Sequence, residues 1–127
     1  MPLNSISHKK ADVTLHNDHL VKIHVKENSD LDENDIREIN DHKNQLVGSK
    51  KYIVIFVPPK IGSISKEARE LSASKEVTHN AVAKAIIVKQ LSSRIIGNFF
   101  IQFNKPGVPI KLFDDEKKAE NWLRSLL

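Results

Sequence analysis

Lys60, Ser63 and Ser65 in "VPPKIGSISKEARE", and Gln90, Ser92, Ser93 and Arg94 in "KQLSSRIIG", are the residues of this 127-residue chain whose types and spacing suit chemistry. Each group follows an apolar run and opens a helical pattern. The first N–H groups of a helix have no intrahelical acceptor, so hydroxyls and a cation placed there can hold an anion. Two such starts, beyond the carboxyl ends of parallel strands, would form a site for phosphate or a carboxylate. Each serine equally suits the plain role of helix cap.

Other chemistries find less support. The chain has six histidines, of which His16, His19 and His24 share one short stretch. No His-x₃-His pattern lies on a helical segment and no carboxylate stands at ligand spacing beside a pair, so surface histidines are favoured and no metal site is assigned. There is no cysteine, which excludes disulfides, thiolate catalysis and cysteine-bound zinc or iron–sulfur clusters. "KIGSIS" has a single glycine, unlike a dinucleotide or P-loop fingerprint, and no G-x-S-x-G elbow occurs. No catalytic residue and no cofactor are assigned, and an enzyme is the least supported class.

The formal charge is +4 and the isoelectric point about 9.3. The lysines are scattered, however, and acidic clusters interrupt them. With one Tyr and one Trp there is little stacking surface for single-stranded nucleic acid, so nucleic acid is a disfavoured partner. The start, "MPLNSISHKKADV", lacks the apolar centre of a signal peptide, and no apolar run reaches membrane-spanning length. A cytoplasmic location with no membrane span is the expectation.

The elements that must position these residues follow from periodicity. Val13 and Leu15, then Val21, Ile23 and Val25, alternate with polar residues and predict two half-buried strands. A three-residue loop of Asn17, Asp18 and His19 sets Leu15 opposite Val21, Val13 opposite Ile23 and Ala11 opposite Val25. A two-residue loop would mix the faces. Residues 30–48 predict a helix, with Asp30 or Asp32 as cap, Ile36, Ile39, Leu46 and Val47 at helical spacing, and Gly48 as stop. "KYIVIFVPP" and "VAKAIIVK" read as buried strands. Ser65 opens a short helix with Ala68 and Leu71 inward, and residues 73–81 hold at most a helical turn near Val77.

The aromatic stretch after residue 90 could be strand or helix. Read as a helix, Leu91, Ile95, Ile96, Phe99, Phe100 and Phe103 share one stripe, leaving Ile101 off it. Gly97 opposes this by about 1 kcal/mol, less than the burial of several large side chains contributes. "VPIKLF" then predicts a strand. "DDEKKAENWLRSLL" predicts a helix capped by Asp114 or Asp115, with Ala119, Trp122, Leu123 and Leu126 inward. The order is ββαβαβαβα, an α/β domain over residues 10–127 with a largely parallel sheet after an antiparallel hairpin; residues 1–9 are expected to be a flexible N-terminus.

This order, with "SKEARELSAS", "AKAIIV" and "GNFFIQFNKPGVPIKLFDDEKKAENWL", resembles small bacterial proteins of the SpoIIAA-like superfamily, the fold of STAS domains. The resemblance spans roughly residues 11–127 and implies a right-handed β/α superhelix. It also implies a phosphorylatable hydroxyl at the start of the helix after a central strand, which here falls on Ser63 and Ser65; the Asp that usually precedes it is missing. The expected function is a non-enzymatic interaction or regulatory module, pairing with a protein partner or itself as a homodimer. Ile101, Leu127 and the hairpin edge are the features left over for contact. The alternative is a binder of a small anionic or lipid-like ligand, held beneath the Phe99–Phe103 segment.

Overall fold

The computed structural model describes residues 4–88 and 108–127. The aromatic segment, with its expected helix, lies outside the described residues, as do Gln90, Ser92, Ser93, Arg94 and Ile101. What is described is an α/β domain built on a mostly parallel sheet.

Strands β2 (Ala11–His16) and β3 (Leu20–Val25) form the antiparallel hairpin. Its register is the expected one: Ala11 faces Val25, Val13 faces Ile23 and Leu15 faces Val21. Asn17 and Asp18 take positive φ in the turn, a conformation these two residue types tolerate better than most. Strand β1 (Ser5–Ser7) pairs antiparallel with β2, so part of the stretch expected to be free is laddered and covers the hairpin edge. Three residues with one apolar side chain give no periodicity to read.

Beyond β3 the ladder turns parallel. Strands β5 (Tyr52–Val57), β7 (Ala81–Ile87) and β8 (Ile110–Phe113) complete a six-stranded sheet in the order β1-β2-β3-β5-β7-β8. Two further short strands, β4 (Ser29–Leu31) and β6 (Gly62–Ile64), pair parallel with each other in a separate ribbon. From the sequence, Asp30 and Leu31 belong to the start of the stretch expected to be helical, and residues 62–64 to a loop.

The helices cover both faces. Helix α1 (Glu33–Val47) and helix α2 (Lys66–Ser72) pack on one face over Val13, Val21, Ile23, Val54 and Phe56. Helix α4 (Glu116–Ser125) packs on the other through Ala119 and Leu123 against Ile53, Ile55, Ala83 and Ala85. The central strand β5 therefore has no solvent-facing side, which explains its unbroken apolar run. A single-turn helix α3 (Lys75–Thr78) precedes β7.

The helix starts are set by side chains. Asp32 accepts from the Asp35 N–H at 2.9 Å while the Asp35 carboxylate accepts from the Asp32 N–H at 3.0 Å, a reciprocal box that satisfies two donors at once. Ser65 caps α2 and Asp115 caps α4. Replacing Asp32 with alanine should cost about 1 kcal/mol, measured as a lowered urea midpoint with an unchanged slope.

Candidate functional site

Lys60, Ser63 and Ser65 follow the carboxyl end of β5, where the Lys60 N–H and both serine hydroxyls are engaged within the chain. The Glu27 carboxylate reaches across and accepts from the Lys60 N–H at 3.0 Å and from the Ile61 N–H at 3.1 Å. These two N–H groups hold the Glu27 carboxyl below the usual carboxylate range. Glu27 thus occupies the Lys60 and Ile61 N–H groups from within the chain. The Ser63 hydroxyl donates to Asp30 Oδ1 at 2.7 Å, and Ser65 Oγ accepts from the Ala68 N–H at 3.1 Å.

Asp30 answers a gap in the sequence. No Asp stands immediately before Ser63, but the β4–β6 ribbon sets Asp30 directly opposite it. Gly62 makes that ribbon possible. A Cβ on residue 62 would collide with the Ser29 carbonyl oxygen and the Pro59 ring. The Asn28 N–H donates to the Ile61 carbonyl at 2.8 Å, closing the loop. What remains outward is the Ile61 side chain, 68% exposed, with Lys60 beside it and Asp30 nearby in the ribbon.

The hairpin histidines do not converge. His16 pairs with Thr14, and His19 Nε2 accepts from Arg124 at 3.2 Å. The cluster that does form involves His8, which the sequence reading passed over, with Asp35 and Glu38; their ligand-type atoms lie within 4.8 Å of one another. Its donor set is already committed. The Lys10 N–H donates to His8 Nδ1 at 3.0 Å, so the ring proton sits on Nε2 and points at Glu38 Oε1, 2.9 Å away. Burial alone would raise the Asp35 carboxyl, but the Lys10 ammonium at 2.6 Å and the Asp32 N–H hold it low. The cluster ties the β1–β2 connection to α1.

A second group was missed by sequence reasoning. Lys43 on α1 and Lys84 on β7 are both buried, 3% and 7% exposed, on the same face of the sheet. Lys43 Nζ donates to the Val77 carbonyl at 2.5 Å and lies 4.8 Å from the centre of the Tyr52 ring, whose hydroxyl donates to the same carbonyl at 3.1 Å. Val77 sits in the last turn of α3, where no intrahelical donor serves its carbonyl. Burial, helped by the charge of Lys84, pushes the Lys43 amine down to about 7; burial pushes Lys84 down to about 8 and the Tyr52 hydroxyl up to about 12. The signal was present: Lys43 falls on the stripe of Ile36, Ile39 and Val47, and Lys84 interrupts "VAKAIIV".

The family described as Domain of unknown function (DUF7793) matches residues 13–127. A crystal structure of an uncharacterized protein of the DUF3478 family, with a SpoIIAA-like fold, from Shewanella loihica PV-4, superposes with a TM-score of 0.58 at 16% identity. That likeness covers 93% of this chain and 98% of the other, and at such identity it speaks for the fold alone. No curated protein matches. No helix among the described residues is long and apolar enough to cross a membrane.

Proposed function

Since the chain belongs to the DUF7793 family and has a SpoIIAA-like fold, we propose that it is a non-enzymatic interaction module of the STAS-like type, pairing with a second copy of itself through residues 58–65. The observation that supports this is Ile61. Among the described residues it is the most exposed of the large apolar side chains, and it stands on a loop that Glu27 and the β4–β6 ribbon hold in place. A loop ordered before contact loses little conformational freedom on binding.

The charges around Ile61 favour a second copy. Lys60, Glu27 and Asp30 are all exposed around this loop, so a second copy related by a two-fold axis can offer its carboxylates to the cation and its cation to the carboxylates. Leu126 and Leu127, the other exposed large apolar residues among those described, sit at the opposite end of the sheet: Arg124 reaches His19, whose carbonyl accepts from Ile53 at the start of β5. On this reading Ser63 is the modifiable hydroxyl, because a phosphate there would add charge beside Asp30 and oppose pairing. The cysteine-free composition suits a reducing, cytoplasmic setting.

Sedimentation velocity tests the reading. The protein should sediment as a dimer at tens of micromolar, and Ile61→Glu should weaken association at least tenfold while still unfolding in one cooperative step. A monomer at all concentrations, or a dimer indifferent to Ile61→Glu, would overturn it.

A further inference from the structure

Lys43 of α1 is 3% exposed and stands on the wall of a cavity of about 30 Å³, which Tyr52, Val54, Val77, Thr78 and Lys84 also line. Its partners among the described residues are the Val77 carbonyl, which accepts from Nζ at 2.5 Å, and the Tyr52 ring, whose centre lies 4.8 Å away. A carboxylate at that distance would hold the amine as an ammonium. A carbonyl oxygen and a ring face attract it without a full charge. Burial and the nearby charge of Lys84 push the amine down to about 7, so near neutral pH much of it carries a free lone pair. A desolvated lysine beside a second cationic group is the setting in which lysine acts as a nucleophile.

The cavity limits what that nucleophile can meet. Its volume exceeds the roughly 10–15 Å³ that one water needs, yet it is too small for a sugar or a nucleotide. Carbon dioxide fits. Being uncharged, it passes the apolar walls of Ile23, Val54 and Val77 without the desolvation that an ion would cost. We propose that Lys43 is a carbamylation site, where Nζ reversibly takes up carbon dioxide into the cavity between α1, α3 and the β5–β7 ladder.

The step balances without a co-reactant. The Nζ lone pair forms a bond to carbon, one carbon–oxygen π pair moves onto oxygen, and Nζ gives a proton to the buffer; nothing is oxidised or reduced. The N–H that remains still donates to the Val77 carbonyl. The product is an anion, and the charge of Lys84 that opposes an ammonium here favours a carbamate by the same Coulomb interaction. The titratable groups facing Lys43 among the described residues are Lys84 from β7 and Tyr52 from β5; α3 presents the Val77 carbonyl and the Thr78 hydroxyl. Tyr52 begins β5 whereas Ile61 follows its end, so the cavity is independent of self-association there.

Carbon-13 NMR of the full chain, with nitrogen-15 in its lysines and carbon-13 bicarbonate in the buffer, tests the proposal. At pH 8 a carbamate resonance split by one-bond coupling to a lysine nitrogen is expected. The α-amino group also reacts with carbon dioxide, but it carries no label and gives no splitting. At a fixed level of dissolved carbon dioxide the signal should fall at least tenfold by pH 6, because the ammonium form has no lone pair to offer. Lys43→Met should abolish it, as should Lys43→Arg, which keeps a cation but not the nucleophile. Lys66→Met, at an exposed lysine, should leave it unchanged. The proposal is overturned by the absence of a lysine-coupled signal, by its persistence in either Lys43 variant, or by equal intensity at pH 6 and pH 8.

Discussion

Replacing Lys43 with methionine should stabilise the protein at pH 7, by an amount that shrinks as the pH approaches 10. Its amine is buried, shares an acceptor with Tyr52 and is repelled by Lys84. In the unfolded chain it titrates near the ordinary lysine value, whereas in the folded protein it titrates near 7. Between these limits the unfolded state binds a proton that the folded state does not, so stability rises with pH across the window and is lost as pH falls toward 7. Lys84, at about 8, acts with the same sign. Tyr52 acts in the opposite sense above about pH 10, because the unfolded phenol ionises first. These groups together should make stability rise from pH 7 toward pH 10, with the Tyr52 contribution falling above it.

Methionine removes the buried charge and keeps most of the volume. The Val77 carbonyl is not orphaned, since the Tyr52 hydroxyl still donates to it. Replacing a buried charge by an apolar side chain of similar length is commonly stabilising, and the gain should be roughly 2–4 kcal/mol at pH 7 and under about 1 at pH 10. Urea unfolding of both proteins at the two pH values measures it. A loss of stability at pH 7 would mean that the Lys43 hydrogen bond outweighs its desolvation.

Gly62→Ala should produce the largest loss. The added methyl meets the Ser29 carbonyl oxygen and the Pro59 ring, and both belong to backbone or a rigid ring that cannot swing aside. The β4–β6 ribbon must open to admit it, releasing the Asp30–Ser63 bond and the Glu27 clamp that depends on the same loop. A destabilisation of about 2–3 kcal/mol is expected, the range of forced overpacking. Self-association should fall with it, because Ile61 would no longer be held. An alanine variant with parent stability and parent sedimentation would show that the ribbon neither braces the loop nor matters to contact.

How far these features could be read in advance depended on element length and on which face a residue occupied. The hairpin register was legible because a one-residue slip would have placed Lys22 against Val13, and only one pairing keeps the apolar residues on a common side. Strand β5 and helix α1 were legible from apolar pattern and caps. The ribbon was not: Ser29, Asp30, Gly62 and Ser63 are polar or small, and three-residue strands lack the repeats that periodicity needs. It forms because β5 ends at two prolines and the chain folds back beside the approach to α1, a tertiary event.

The site was legible in part. The sequence places Lys60, Ser63 and Ser65 after β5, but nothing local announced that Glu27, more than thirty residues away in sequence, would take the N–H groups of Lys60 and Ile61. Lys43 and Lys84 escaped notice for a different reason. A lysine within an apolar pattern reads as a solvated interruption, since the long stem commonly carries its charge to water. Here the covering helices on that face leave it no route outward.

The claim that residues 58–65 form the contact surface is tested most directly by intermolecular methyl NOEs in a sample mixing copies labelled at isoleucine methyl groups with unlabelled ones. The account predicts cross-peaks from Ile61 to the partner copy, with buried Ile53 and Ile55 silent. A dimer whose intermolecular contacts arise at Leu126 and Leu127, with Ile61 untouched, would contradict it.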